Sequence, residues 1–437
     1  MSTQLSTFYI FMCLLLALGA CVPIAQQYPD SQQFAYKQLR FEDAIYEDSI
    51  RTVLFYPETG LQEQAIFAPV LELKQARPLV IEFDELGDNF KRYNIKVLHC
   101  NADWTRSNLN ELEYMDDFNE QPINEYQFSF NTKVKYVHYR AHLPRVKVSG
   151  NYLLKVYRNG VEADLVLTRR FIVYENQVSI VLNPGFSNSP AERLQNQQID
   201  FTVSYKNFNI VNPQEDVKVC IRQNYRWDNA ITQLRPFTIN EFDRVLEYTA
   251  FNNENNFKGL NEYRYFEMQS VRFLGFNMRL LDASGDIVQS YLSTDRPRNR
   301  QAYLRVKDFN GAFLINNFET GNGSTDADYL QVHFALESPL LPEDVYVVGK
   351  FNEWKPDARH RLLYNQEKNL YEGSFLLKQG IYNYAYAVAT QGGKLDEARI
   401  ENSHQATENI YEVILYHRPI GVRYDMVIGY RLVQINQ

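Results

Sequence analysis

From residue 51 onward the chain is written in short runs in which Val, Ile, Tyr or Phe recur at every second position, between clusters of turn-forming residues. Period two places alternate side chains on opposite faces of an extended backbone, so it dictates half-buried strands rather than helices. Examples are 78–84 (PLVIEFD), 93–99 (YNIKVLH) and 133–139 (KVKYVHY). The aromatic load is of the same kind: 31 Tyr and 28 Phe stand against 19 Gly, and these rings suit a pleated, packed surface. A hairpin is expected where 151–157 (NYLLKVY) meets Asn159-Gly160 and then 165–167 (LVL), because Asn-Gly accepts the positive φ of a tight turn. The stretch 105–118 (TRSNLNELEYMDDF) has room for one or two helical turns.

A chain of 437 residues is too long for one core and is expected to divide into about three domains. Many short strands at even spacing predict an all-β architecture of tandem immunoglobulin-like or early-set β-sandwiches with little helix. The boundaries read as 33–175, 176–325 and 326–437. A polar, Gly-rich stretch at 319–328 (ETGNGSTDAD) marks a linker or long loop before the third unit. Net charge of -8 and the absence of a basic run argue against a nucleic-acid partner.

The apolar run at 8–20 (FYIFMCLLLALGA) is shorter than the roughly 20 residues that a membrane span requires, and it reads as the core of a signal peptide over 1–20. It ends in Leu18-Gly19-Ala20-Cys21, which resembles the lipobox of bacterial lipoproteins. That resemblance implies cleavage before Cys21 and a lipid on its sulfur, although residues 1–10 carry no Lys or Arg. Cys100 and Cys220 then remain, both in apolar alternating stretches, and are expected to be buried thiols.

Constellations for catalysis are sparse. His99 and Cys100 are neighbours on an expected strand, so their side chains diverge. His138 and His142 would be about 13 Å apart on a strand rising about 3.3 Å per residue, too far for one metal ion. No metal site or cofactor is expected. The acidic pairs Asp84 with Glu85, Glu111 with Glu113 and Asp116 with Asp117 would serve glycoside hydrolysis only if held across a cleft. The tryptophans Trp104, Trp227 and Trp354 each follow a strand and precede a polar stretch, as ligand platforms or as core plugs.

Two resemblances extend this reading. VYVVGKFNEW at 345–354, with YEGSFLLKQGIYNY at 371–384, resembles the early-set sandwich that serves as a glycogen-binding module in kinase β subunits and branching enzymes. It implies that Trp354 stacks on a sugar. However, the family's lysine position reads Ala385, and the hairpin at 390–394 carries no second tryptophan.

The second resemblance rests on strings in fixed order: HCNADW (99–104), SFNT (129–132), SGNYLL (149–154), TRRF (168–171), QNYRWDN (223–229), NEYR (261–264) and DADYLQV (326–332). Together they look like the plug protein of the type IX secretion system of Bacteroidota. The resemblance implies a non-enzymatic periplasmic protein that docks on the outer-membrane β-barrel translocon and occludes its inner opening. The uncharged residues 22–27 (VPIAQQ) lack the acidic tract of surface-exported lipoproteins in that phylum, which fits an anchor facing the periplasm from the inner leaflet of the outer membrane. The competing readings are a glycan-binding envelope lipoprotein using Trp354 and a hydrolase using the carboxylate pairs.

Overall fold

A computed structural model describes residues 37–436 apart from Gln62 and Ala76. The signal segment and Cys21 lie outside the described residues. Strand makes up about 44% of the chain and helix about 5%, which establishes the all-β class. The runs at 78–84, 93–99 and 133–139 are the strands Leu79–Leu86, Tyr93–Cys100 and Tyr136–His142. Helix in the 105–118 stretch is confined to Glu111–Tyr114, where the Asn110 N–H donates to Glu113 Oε2 at 2.7 Å in a capping box.

In the first sandwich, Gly150–Arg158 pairs on one side with Tyr93–Cys100 and on the other with Leu165–Tyr174. The opposing sheet runs in the order Ile50–Pro57, Leu79–Leu86, Tyr136–His142, Glu125–Phe128. Ile81, Phe83, Val137 and Tyr139 of this sheet meet Val97, Tyr152, Leu154 and Phe171 of the other in one buried cluster. These are period-two positions, as two inward faces require. Asn159 and Gly160 have φ of 54° and 72°, so the expected pair does turn the chain, within a connection that extends over 159–164.

The other two sandwiches are not consecutive in the chain. Ser179–Phe186, Asn196–Ser204 and Val245–Tyr248 form one sheet of the second. Its other sheet pairs Val217–Gln223 with Asn409–His417, which in turn pairs with Met426–Ile435. Ile199, Phe201 and Val219 thereby share a core with Val413 and Leu415. Between Asn256–Lys258 and Asn409–His417 the chain builds the third sandwich, in which Arg264–Met268 pairs with Gly380–Ala389 and Val288–Leu292 pairs with Tyr329–Leu336. The division expected at 325/326 therefore falls inside a sandwich. The 319–328 stretch is a packed loop, with Thr325, Ala327 and Asp328 buried. Polar side chains in and beside it hold main chain: Asn317, just before it, accepts through Oδ1 from the Glu319 and Thr320 N–H groups, and Asp328 accepts from those of Lys133 and Val134 at 2.7 and 3.0 Å.

A buried polar joint ties the first sandwich to the third. Asp84 and Lys378 are each 1% exposed by side chain, and Lys378 Nζ donates to Asp84 Oδ2 at 2.7 Å. The Tyr329 hydroxyl donates to the same oxygen at 2.6 Å, while His138 Nδ1 lies 2.7 Å from Oδ1. The Tyr136 hydroxyl crosses the same joint to the Ala327 carbonyl at 2.7 Å. Burial alone would raise the Asp84 pKa, but the Lys378 charge and the His138 bond outweigh it and hold the group below the usual carboxylate range.

Removing one partner leaves the other charge buried and unmatched, which costs about 3–5 kcal/mol. Lys378→Met is expected to lower the urea midpoint accordingly, and adding Asp84→Asn to that variant should recover much of the loss. Because the Asp84 pKa is depressed on folding, its contribution is complete above about pH 4 and is lost as pH falls through the folded value. Acid unfolding of Asp84→Asn should therefore be less steep than that of the parent, measured by circular dichroism against pH.

Candidate docking surface

The residues that could have carried catalysis are engaged in packing and capping. Asp84 belongs to the joint described above. Glu85, next to it on the strand and facing the other way, accepts the Tyr93 hydroxyl and pairs with Lys91. Glu111 pairs with Lys96 at 2.9 Å, and Glu113 caps its own helix and pairs with Arg423. Asp117 Oδ2 accepts the Arg145 N–H at 3.4 Å, and the Asp116 N–H donates to the Arg145 carbonyl at 3.1 Å. His99 packs edge-on against Tyr152 and Tyr424, with ring centroids at 4.9 and 5.2 Å, and burial pushes its pKa down to about 4. Cys100 lies in a different cluster with Leu98, Trp104 and Leu153, and burial pushes its thiol up to about 12. Cys220 is likewise a free, buried thiol pushed up to about 12, so neither cysteine is a ready nucleophile. His138 and His142 serve different carboxylates, Asp84 and Glu58.

The tryptophans converge on the seams between sandwiches. Trp104 and Trp227 meet edge to face at 4.9 Å. The Arg170 guanidinium lies over both rings, 4.6 and 5.3 Å from their centroids, and Arg222 covers Trp227 at 4.1 Å. Trp354 is only 4% exposed; Arg226 covers it at 4.8 Å and its indole N–H donates to the Tyr263 hydroxyl at 3.1 Å. Gly311, at φ 83°, admits this ring: a Cβ there would lie 2.6 Å from Trp354 Cζ2. A sugar platform needs an open ring face, whereas Trp354 is buried with the Arg226 guanidinium over its ring. The early-set resemblance implies a sugar stacked on Trp354; in this structure a neighbouring sandwich supplies Arg226 over that ring, and the packing serves the fold.

The surface feature that sequence reasoning missed is a row of rings at the rim of the first sandwich. Glu125–Phe128 is the outer strand of the four-stranded sheet, and every residue of it is exposed. Tyr126 and Phe128 share one face and Phe130 follows in the same period, with exposures of 43, 51 and 64%. Phe90 packs on Tyr126 at 4.4 Å, and Tyr126 lies 6.2 Å from the buried Tyr139. The aromatic core thus continues past the covered part of the sheet into solvent. The Phe130 N–H donates to the Thr325 carbonyl at 2.9 Å, so the row is pinned to the third sandwich. Exposed aromatic rows on a rigid frame mark interaction surfaces. The signal was present in 126–130 (YQFSF), but alternation alone does not say which face is covered.

Residues 50–175, the span of this first sandwich, match the family described as type 9 secretion system plug protein 1st domain. The chain belongs to the type IX secretion system plug protein family. A crystal structure of a hypothetical protein from Parabacteroides merdae is 34% identical, covering 91% of this chain and 100% of that one, with a TM-score of 0.85. A marsupial T cell receptor aligns at 8% identity over 84% of this chain and 98% of that one; with a TM-score of 0.14 it carries no argument. No curated protein matches. Membership in the plug family gives the chain a role in type IX secretion, in the bacterial envelope and in association with other components of that system. The family is a component of secretion machinery rather than a family of enzymes.

In this plug-family member Trp354→Ala is expected to act on the fold. It should cost about 3–5 kcal/mol of stability, the usual range for a buried ring, read as a lowered unfolding midpoint. Mobility of the parent protein in native gels containing soluble α-glucan should match its mobility without glucan.

Proposed function

We propose that the chain is a periplasmic plug that docks on the outer-membrane β-barrel translocon of type IX secretion and occludes its periplasmic opening. The observation that carries this reading is the coincidence of the family match over 50–175 with the exposed aromatic rim on that same sandwich. A plug must present a broad surface that does not deform under load, yet release on demand. Three sandwiches joined through buried ion pairs and tryptophan seams supply the stiffness, and a partly exposed row of rings supplies anchors of the kind that dominate breakable interfaces. A lipid on Cys21 would confine the protein to the inner leaflet of the outer membrane and raise its effective concentration at the barrel mouth. No small-molecule substrate or cofactor enters this function.

The test is recovery of partners from gently solubilised outer membrane by the tagged full-length protein. A very large β-barrel should co-purify with the parent. Phe128→Asp with Phe130→Asp should cut its recovery by about tenfold or more, since each exposed anchor contributes roughly 1–2 kcal/mol, while the unfolding midpoint stays unchanged. Loss of the barrel from the parent preparation would remove the plug reading. Equal recovery by the variant would move the docking face elsewhere on the protein.

A further inference from the structure

The first and third sandwiches, locked together by Asp84 and Lys378, part beside Tyr329 of that joint around a cavity of about 620 Å3. One wall is formed by residues 50–53 of Ile50–Pro57, the outer strand of its sheet. Its ladder with Leu79–Leu86 breaks between Arg51 and Leu54, where Thr52 adopts φ 49°. The facing wall is residues 374–377 of Leu370–Lys378. That strand pairs along its length with Tyr329–Leu336, but its other neighbour, Arg361–Asn365, reaches only 370–372. Among the described residues no strand pairs with the second edge of 374–377. Both walls are open strand edges, which offer main-chain groups to an added strand.

The cavity is lined by the rings of Phe313, Phe351, Phe375 and Tyr382 and is basic on balance, with six Arg and Lys residues against Asp43, Glu353 and Asp357. Lys355 and Arg359 are already occupied, by Glu42 at 3.4 Å and by Asp357. Arg169 lies 4.0 Å from Glu353. Arg51 is different: it donates to the Ile50 carbonyl at 3.0 Å and pairs with no carboxylate among the described residues. Lys350, also on the lining, directs its charge at Glu353. Burial and the Arg359 charge hold Arg51 below its usual pKa, and the more distant Asp48 and Asp357 carboxylates, which act in the opposite direction, do not offset them. The His360 Nδ1, also on the cavity wall, is buried without a hydrogen-bond partner. A cation without an ion pair in a partly dry site favours an anion, and the arginine fork favours a carboxylate held by two bonds.

We propose that this cavity binds an extended, acidic peptide segment of a partner, whose main chain adds to the open strand edges and whose carboxylate is taken by Arg51. A free inorganic anion would satisfy the guanidinium but would leave both edges and the lining rings uncovered. The volume lies within the range of about 300–1,000 Å3 typical of sites that enclose a ligand. The inference does not rest on the plug reading, because it concerns a different face from the aromatic rim.

The test is fluorescence anisotropy of the full-length protein with a labelled hexapeptide of alternating Glu and Val, beside the same peptide with Gln for Glu. Saturable binding of the Glu peptide is expected, at least about tenfold tighter than the Gln peptide, with Arg51→Gln abolishing most of that difference. Equal affinity for the two peptides, or no saturation, would overturn the proposal, and so would complete displacement by millimolar inorganic phosphate. Should Arg51→Gln fail to fold, a photo-reactive version of the Glu peptide decides on the parent protein: labelling within 50–53 or 374–377 supports the site, and labelling elsewhere sinks it. Retention of the large barrel by a protein that fails this test would leave the docking function standing.

Discussion

Asp84 and Lys378 hold one another in a joint that excludes water, and the mutual placement of the first and third sandwiches depends on that pair. A carboxylate and an ammonium are both costly to bury, so neither tolerates separation once the joint has closed. Tyr329, His138 and the Ser324 carbonyl take up the remaining bonding capacity of the pair. The joint is therefore specific in direction and distance, where an apolar contact would allow sliding. The position of the aromatic rim follows from it, since Phe130 is bonded to the loop that also carries Asp328 and Tyr329. The shape of the cavity beside the same joint, lined in part by Tyr329, follows for the same reason.

The abundance of tyrosine acquires a physical explanation at these seams. A buried Tyr fills volume as Phe does and still reaches a polar partner at its tip. Tyr416 donates to Asn151 at 3.0 Å between the second and first sandwiches, and Tyr136 and Tyr329 bridge the first and third. Tyr263 receives both Arg226 and the Trp354 indole between the second and third. Each hydroxyl fixes a register that the rings alone would leave loose. The result is a body of three sandwiches whose internal contacts resemble one core more than they resemble beads on a linker.

The ordered strings that led to the family are, with few exceptions, the residues of these seams. HCNADW supplies Trp104, TRRF supplies Arg170, QNYRWDN supplies Arg222's neighbours Arg226 and Trp227, and NEYR supplies Tyr263. DADYLQV supplies Asp328 and Tyr329. Sequence reading could recognise them as a pattern but left Trp354 open between a sugar platform and a core plug and saw in Asp84 only half of an acidic pair, because a local string does not reveal which distant segment covers it. The rim at 126–130 was overlooked for the converse reason: alternation looks the same on a strand whose face is covered and on one whose face is bare.

The sequence by itself determined the strand period, the Asn-Gly turn and the burial of Cys100 and Cys220, each written in residues close together along the chain, and the family, written in short strings whose order needs no folding to be read. Only the tertiary structure decided that Val217–Gln223 completes its sheet with Asn409–His417, with the third sandwich inserted between. It also decided that a Gly-rich polar stretch is a packed loop, and that the Arg51 guanidinium lines a cavity between two sandwiches, bonded to the Ile50 carbonyl. Strand pairing is satisfied by any strand of compatible edge and face. The choice among such partners is made by the burial and charge matching of whole units, which no local window contains.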